Sequence, residues 1–165
     1  MVRKTGEQLV NMDASSANPG FIRPPFIFFL SILTGFITDS IWPVQIGAGE
    51  VVIPIGILFL ALGMTVFGLS QREFKRAKTP IPGNKPTTSI ICTGPFSFSR
   101  NPIYLAFSII QLSVALLSQT LWVLVMIIPA LVLIQCVVIP REERHLENLF
   151  NSTYTDYKSS VRQWL

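Results

Sequence analysis

Charged residues are scarce in this chain of 165 residues, and two long stretches have almost none. Only 13% of the residues are Asp, Glu, Lys or Arg, whereas soluble domains contain about 25%. Residues 101–140 contain no charged residue, and residues 24–71 contain only Asp39 and Glu50. Each stretch is long enough to cross a bilayer twice, at about 20 residues per crossing. The scarcity of charge excludes an ordinary soluble fold and indicates an integral membrane protein.

Histidine, cysteine and glycine-rich motifs are also sparse. The chain has a single histidine, His145, and two cysteines, Cys92 and Cys136. Structural zinc sites need about four Cys or His ligands, so no metal site is predicted. The two cysteines are interpreted as reduced and structural, because they are predicted to lie on the cytoplasmic side and within a span. No glycine-rich phosphate loop or nucleophile elbow occurs, so kinase and hydrolase chemistry lack their motifs.

Apolar sequence is abundant, since 50% of the residues are hydrophobic. Four predicted membrane spans lie at about residues 25–42, 51–70, 102–118 and 121–139. Lipid offers no hydrogen-bond partners to an open backbone, and these runs do not alternate as barrel strands do. The predicted fold class is therefore all-α, with four transmembrane helices in a single domain over residues 1–165.

The basic residues predict how the chain is oriented. All 13 Lys and Arg lie in the N-terminal tail, in the loop at 71–101 or in the tail at 141–165. Since cytoplasmic loops carry an excess of Lys and Arg, both termini and the loop are predicted to be cytoplasmic. This orientation and contact with anionic membrane lipids also explain the pI of about 9.4. Nucleic-acid binding is therefore not expected.

The second predicted hairpin brings two distant polar segments together. Its helices are about 18 residues, or about 27 Å, long, and only residues 118–120 separate them, so the chain returns to the surface that it left. Arg100-Asn101 and Arg141-Glu142-Glu143 are therefore predicted neighbours. In the tail that follows, apolar residues recur at steps of three and four, which predicts two short amphipathic cytoplasmic helices with Asn151 between them.

The segment TGPFSFSRNPIYL, residues 93–105, has two interpretations. In the structural one, Asn101 is the N-cap and Pro102 the first residue of the third span. In the functional one, the free N–H groups of that first turn bind an anionic ligand group. The second interpretation accounts better for the concentration of polar side chains just before a membrane helix, and both stay open on the residues alone.

Together with REERHLENLFNSTYTDYKSSVRQWL, residues 141–165, this segment resembles the membrane methyltransferases of the isoprenylcysteine carboxyl methyltransferase family, relatives of the phospholipid N-methyltransferases. The pattern is a Gly, an aromatic residue two positions later, then Arg, His or Asn, Pro, any residue and Tyr. After a helical hairpin come two Glu, Phe-Gly and spaced tyrosines. The resemblance covers residues 72–165, with three departures: Asn101 replaces His, Asn151 replaces Gly, and no Pro follows Val161.

The resemblance implies an S-adenosylmethionine pocket on the cytoplasmic side, roofed by the loop and the C-terminal helices, in an enzyme of the short bacterial or archaeal type. The implied cofactor contacts are Thr88, Ser89, Ile90 and Ile91 in a loop strand, Phe96, Asn101, Pro102, Ile103, Tyr104, Glu142 and Glu143. The implied catalytic residues are Arg141, facing the substrate, and Glu142.

The chemistry of methyl transfer is compatible with these residues. Displacement at a sulfonium needs alignment and exclusion of water, and no covalent nucleophile. A carboxylate acceptor needs no base, whereas an amine must first lose a proton, and only Glu142, Glu143 and His145 are candidate bases. This favours a lipophilic carboxylate, such as a prenylcysteine-like group, or an amine that arrives already deprotonated. Two alternatives stay open: N-methylation of a phospholipid amine, and a non-enzymatic four-helix transporter or assembly protein, although the spans lack an ionisable residue at depth.

Overall fold

The computed structural model describes residues 23–47, 49–79 and 88–165. The N-terminal tail at 1–22, predicted to be cytoplasmic, and residues 80–87 of the predicted loop lie outside this part. Apolar helices dominate the described residues, and no strand forms among them. The protein is an all-α membrane protein, which confirms the predicted fold class.

Seven α-helices make up the described part of the chain. They are α1 (Pro24–Ile41), α2 (Val52–Arg76), α3 (Pro102–Leu117), α4 (Leu121–Val125), α5 (Ile127–Leu133), α6 (Ile139–Phe150) and α7 (Ser152–Ser160). Short 3₁₀ turns at Gly49–Val51 and Gly94–Ser97 precede α2 and α3, and a π-helical turn covers Ile134–Val138.

Three helical runs are long and apolar enough to cross a membrane: Pro24–Ile41, Gly49–Arg76 and Leu121–Phe150. The fourth, α3, is also apolar but has only 16 residues, or about 24 Å. A span shorter than the hydrocarbon thickness is accommodated by local thinning of the bilayer. These four segments correspond to the four predicted spans.

Two spans extend beyond their predicted ends. The second was predicted to end near residue 70, but α2 continues to Arg76, where basic residues in the last turn favour the helix dipole. The fourth was predicted to end near residue 139, but the helical run continues through Pro140 to Phe150. Pro140 has no N–H to donate to the preceding turn, and the π-helical turn at Ile134–Val138 precedes it. The wider turn lets the chain pass the proline without ending the helix.

A break at Met126 separates α4 from α5, three residues before Pro129. The proline ring displaces the carbonyl four residues earlier, which interrupts the helix. Polar side chains from other helices fill this gap: Gln111 Nε2 donates to the Val123 carbonyl at 3.2 Å, and the Ser31 hydroxyl donates to the Met126 carbonyl at 2.7 Å. Two main-chain carbonyls at the break are therefore bonded within the protein, as membrane helices require.

Close packing holds the helices together. Gly35 on α1 lies against α4, and a Cβ atom there would come within 2.7 Å of the Val123 Cα. Small residues permit such an approach between membrane helices. Helix α2 packs along α3 as its main partner. The outward faces of α1 and α2 carry exposed apolar side chains such as Phe29 and Leu58, which suit contact with lipid.

The two ends of the helical assembly differ. At one end the segment after α1 contacts the first turn of α4: the Trp122 indole N–H donates to the Trp42 carbonyl at 2.6 Å, and the Leu121 N–H donates to the Val44 carbonyl at 3.0 Å. The other end holds the loop before α3 and the beginning of α6. Two helices, α6 and α7, form there with Asn151 between them, as predicted, and Asn151 has a φ of 48°. The first of them is not a separate short helix, however, because it continues the helical run of the fourth span.

Candidate active site

Helices α3 and α6 bring Tyr104 and Glu142 into direct contact. The Tyr104 hydroxyl lies 2.7 Å from each carboxylate oxygen of Glu142. The tyrosine is buried in the main apolar core with Ile134 and Ile139, and Glu142 is partly buried at its edge. A phenol that donates to a carboxylate forms a strong, charge-assisted hydrogen bond. The orientation of Glu142 is therefore set by α3.

Glu143 joins three segments of the chain. Its two carboxylate oxygens lie 2.8 Å from Arg100 Nη1 and 2.8 Å from Lys158 Nζ. Only 11% of the Arg100 side chain and 13% of the Glu143 side chain are exposed, so salt screens this pair less than a surface pair. Hydrogen bonds from Lys158 to Glu143 and Glu147 raise the pKa of the lysine.

The Arg100–Glu143 ion pair confirms that the two polar segments are neighbours, as the hairpin predicted. It also means that both oxygens of Glu143 already face cations. Its contact with a cofactor, implied by the resemblance, stays a prediction.

Main-chain carbonyls at 162–163 accept hydrogen bonds from the residues just before α3. The Arg100 N–H donates to the Arg162 carbonyl at 2.9 Å, and Asn101 Nδ2 donates to the Gln163 carbonyl at 3.0 Å. Asn101 occupies the predicted N-cap position, but its side chain does not bond the N–H groups of the helix. The side-chain oxygen of Asn101 makes no hydrogen bond within the described part of the chain, so it is available to a ligand.

The predicted apolar contacts collect in one cluster. Ile91 and Phe96 are buried with Phe74 at the end of α2, and Ile103 packs against them. The rings of Phe74 and Phe96 meet edge to face with centroids 5.4 Å apart. The Tyr157 hydroxyl donates to the Phe96 carbonyl at 2.7 Å. This cluster forms an apolar wall between the loop, α2 and α3.

The segment at 88–91, expected to be a loop strand, is not one: it has no regular secondary structure. No strand forms among the described residues, so the segment has no partner there with which to form a ladder. The Thr88 N–H donates instead to Thr79 Oγ1 at 3.0 Å. Ser89 and Ile90 are half-buried, and Ser89 Oγ is buried without a hydrogen-bond partner among residues 23–47, 49–79 and 88–165.

The two remaining predicted site residues, Pro102 and Arg141, differ in how far they are exposed. Pro102 is the first residue of α3 and is fully buried, so it serves the helix start. Arg141 is exposed next to Glu142 and forms no ion pair with any described acid. An exposed guanidinium beside the site is free to bind an anionic group.

Sequence reasoning missed Glu73, which anchors the loop. This acid at the end of α2 is buried, accepts a short hydrogen bond from the Thr93 hydroxyl and pairs with Arg76 at 3.1 Å. Gly94, the residue after Thr93, has a φ of 60°, and a Cβ atom there would lie 3.0 Å from Glu73 Cγ. The sequence signal was weak because Glu73 stands among basic residues at a helix end and resembles a solvated acid.

Together these features define a helical membrane protein with a polar site at one end of its helices. A sequence profile of the family described as phospholipid methyltransferase matches residues 51–153. The match covers more than half of the chain and includes the loop, α3 and α6, so the protein belongs to the phospholipid methyltransferase family. Membership implies methyltransferase activity at a membrane. No curated protein and no solved structure matches the chain.

Proposed function

We propose that this protein transfers a methyl group from S-adenosylmethionine to a lipophilic acceptor at the cytoplasmic membrane surface. One observation carries the proposal: the two motif segments, distant in sequence, meet through Tyr104–Glu142 and Arg100–Glu143 at one end of the helices. Family membership supports methyl transfer as the reaction. The basic loop and tail support the cytoplasmic orientation.

The residues at this end fit the donor's chemistry. S-adenosylmethionine supplies an electrophilic methyl group on a cationic sulfur, together with an ammonium, a carboxylate and an adenine ring. Glu142 would bind cationic groups, and the free side-chain oxygen of Asn101 would accept a hydrogen bond. The apolar wall of Ile91, Phe96 and Ile103 suits the ring. Ser89 Oγ, buried without a partner among the described residues, supplies a further polar contact.

We further infer that the acceptor is a carboxylate, such as a prenylcysteine-like group. Both carboxylate oxygens of Glu143 form ion pairs, with Arg100 and with Lys158. The candidate bases that remain are therefore Glu142 and His145. A carboxylate needs no base, and Arg141 is free among the described residues to bind it. The apolar part of the acceptor would lie among the membrane helices while its polar end reaches the site.

N-methylation of a phospholipid amine is the second candidate. The matched family is described as phospholipid methyltransferase, and Glu142 is a partly buried carboxylate that would accept the proton of an ammonium group. Arg141 would then bind the phosphate of the headgroup.

The product distinguishes the candidates. Purified protein is incubated with a radiolabelled methyl donor and either a prenylcysteine analogue or phosphatidylethanolamine vesicles. We expect label on the analogue that mild base releases as methanol, since methyl esters are base-labile. Base-stable label in the phospholipid would establish the second candidate instead. No label on either acceptor, together with no saturable donor binding in folded protein, would leave a non-enzymatic role.

Three variants and their controls test the residues. Glu142→Ala and Asn101→Ala should each weaken donor binding, measured by calorimetry in detergent, while Glu50→Ala at the other end should not. Arg141→Gln should raise the acceptor KM about tenfold, because one charge-assisted contact contributes about 1.5–3 kcal/mol. The neighbouring Arg144→Gln is the matched control and should leave the acceptor KM unchanged.

A further inference from the structure

The segment at 161–165, called the C-terminal tail below, contacts the residues just before α3 through main-chain groups. The carbonyls of Arg162 and Gln163 accept hydrogen bonds from Arg100 and Asn101. Ser99 Oγ also lies 3.5 Å from the Gln163 carbonyl. The position of this carbonyl therefore determines where the Asn101 side chain points.

The same tail contacts the fourth span through side chains. The Trp164 indole N–H donates to Gln135 Oε1 at 2.7 Å, and Gln135 Nε2 donates to Gln163 Oε1 at 3.0 Å. The Trp164 side chain packs against the core cluster that includes Tyr104. Gln135 lies in the π-helical turn at Ile134–Val138. One short segment thus connects that turn to the beginning of α3.

Gln135 is unusual in its surroundings. It is the only amide, hydroxyl or charged side chain in the run from Leu121 to Ile139, and it is exposed. An amide in an apolar environment is unfavourable unless it is hydrogen-bonded. The distinctive contribution of Gln135 is its pair of hydrogen bonds to the tail.

We propose that Gln135 is a positioning residue for the methyl-donor site. By holding Gln163 and Trp164, it fixes the main-chain carbonyl that orients Asn101. Gln135 itself touches neither Asn101 nor the reacting groups, so it acts through the tail alone. This inference rests on the proposed function.

A double-mutant cycle tests transmission through the tail. We expect Gln135→Leu to raise the Kd for S-adenosylmethionine about fivefold, the size of a net hydrogen-bond contribution, and Asn101→Ala to raise it about tenfold. The double variant should bind no more weakly than Asn101→Ala, because both changes act through the Gln163 carbonyl. Multiplication of the two factors would show independent effects and overturn the proposal. Cys136→Ala, on the same π-helical turn, is the matched control and should leave the Kd unchanged.

A second variant isolates the hydrogen bond from the packing. Trp164→Phe removes the indole N–H but keeps an aromatic ring in the core cluster. Because it removes one of the two hydrogen bonds between Gln135 and the tail, it should weaken donor binding by no more than Gln135→Leu does. The combined variant should bind no more weakly than Gln135→Leu. Normal donor binding in both single variants would overturn the positioning role alone. Wild-type protein that binds no donor would overturn the proposed function as well, so the two failures are distinguishable.

Tryptophan fluorescence tests whether Gln135 holds the tail, without a measurement of activity. The chain has three tryptophans, so Trp42→Phe with Trp122→Phe leaves Trp164 as the only tryptophan. In this background Gln135→Leu should raise the acrylamide quenching constant of Trp164 about twofold, because a released tail exposes a half-buried indole. Cys136→Ala should not change it. Unchanged quenching in Gln135→Leu would show that Gln135 does not hold the tail and would overturn the proposal.

Discussion

The Tyr104 hydroxyl lies 2.7 Å from both carboxylate oxygens of Glu142, although 38 positions separate the two residues in the sequence. The contact joins the beginning of α3 to the beginning of α6, the two helix starts that carry the methyltransferase motifs. It makes the buried phenol part of the site's polar framework and fixes the acid that we propose to bind the donor.

Removing this hydroxyl should weaken donor binding. Tyr104→Phe removes a hydrogen bond that positions the Glu142 carboxylate, and the net contribution of such a bond is about 0.5–1.5 kcal/mol. We expect a Kd for S-adenosylmethionine about three- to tenfold higher, measured by calorimetry, and a smaller loss than Glu142→Ala causes. An equal loss in the two variants would contradict an indirect role and would assign the phenol its own contact with the donor.

Loss of the Glu143 carboxylate should release α7. Glu143→Gln leaves Arg100 and Lys158 without their shared partner, so the free energy of unfolding should fall by about 2 kcal/mol, less than the 3–5 kcal/mol of a fully buried pair. Glu147→Gln is the matched control, because its pair with Lys158 is 37% exposed on both sides and should contribute less than about 1 kcal/mol. Denaturant titration in detergent gives both values, and similar losses would refute the central role of Glu143.

Alanine at position 94 should be destabilising. Gly94 has a φ of 60°, and a Cβ would lie 3.0 Å from Glu73 Cγ, so Gly94→Ala should lower the free energy of unfolding by about 1–2 kcal/mol. Gly68→Ala is the control, since that glycine lies in α2 with open space around it, and it should be neutral or stabilising by up to about 1 kcal/mol. Equal thermal unfolding temperatures for the two variants would argue against a tight turn at Gly94.

Alkaline pH should loosen the C-terminal helices. Burial raises the pKa of Tyr154 to about 12 and also raises the pKa of Tyr157, and hydrogen bonds to Glu143 and Glu147 raise the pKa of Lys158. In each case the group loses its proton at a lower pH in the unfolded chain than in the folded protein. The contribution of these groups to the free energy of unfolding is therefore complete below their ordinary pKa values near 10 and decreases above them.

The measurement is the free energy of unfolding in detergent between pH 8 and 11. It should be level up to about pH 10 and then decrease. Lys158→Met should decrease less steeply over the same range, because one of the three groups is gone. A level profile to pH 11 would contradict the buried environment of this cluster.

The sequence predicted much of the framework of the site but not its detailed contacts. The meeting of Arg100 with the Glu142-Glu143 pair followed from the length of the second hairpin, and the Arg100–Glu143 ion pair confirms it. The sequence did not predict that Asn101 bonds the Gln163 carbonyl, or that Glu73 holds Thr93. It also suggested a strand at 88–91, where none forms.

By itself, the sequence determined the all-α membrane class, the four apolar spans, the helical tail divided at Asn151 and the end of the molecule where the polar motifs meet. These features depend on composition, periodicity and chain length, which are local properties. The tertiary structure alone decided which polar groups pair: Tyr104 with Glu142, Asn101 with Gln163, and Gln135 with Trp164. Such pairs depend on how each helix is rotated about its axis and how far its side chains reach, and local sequence patterns do not set either quantity.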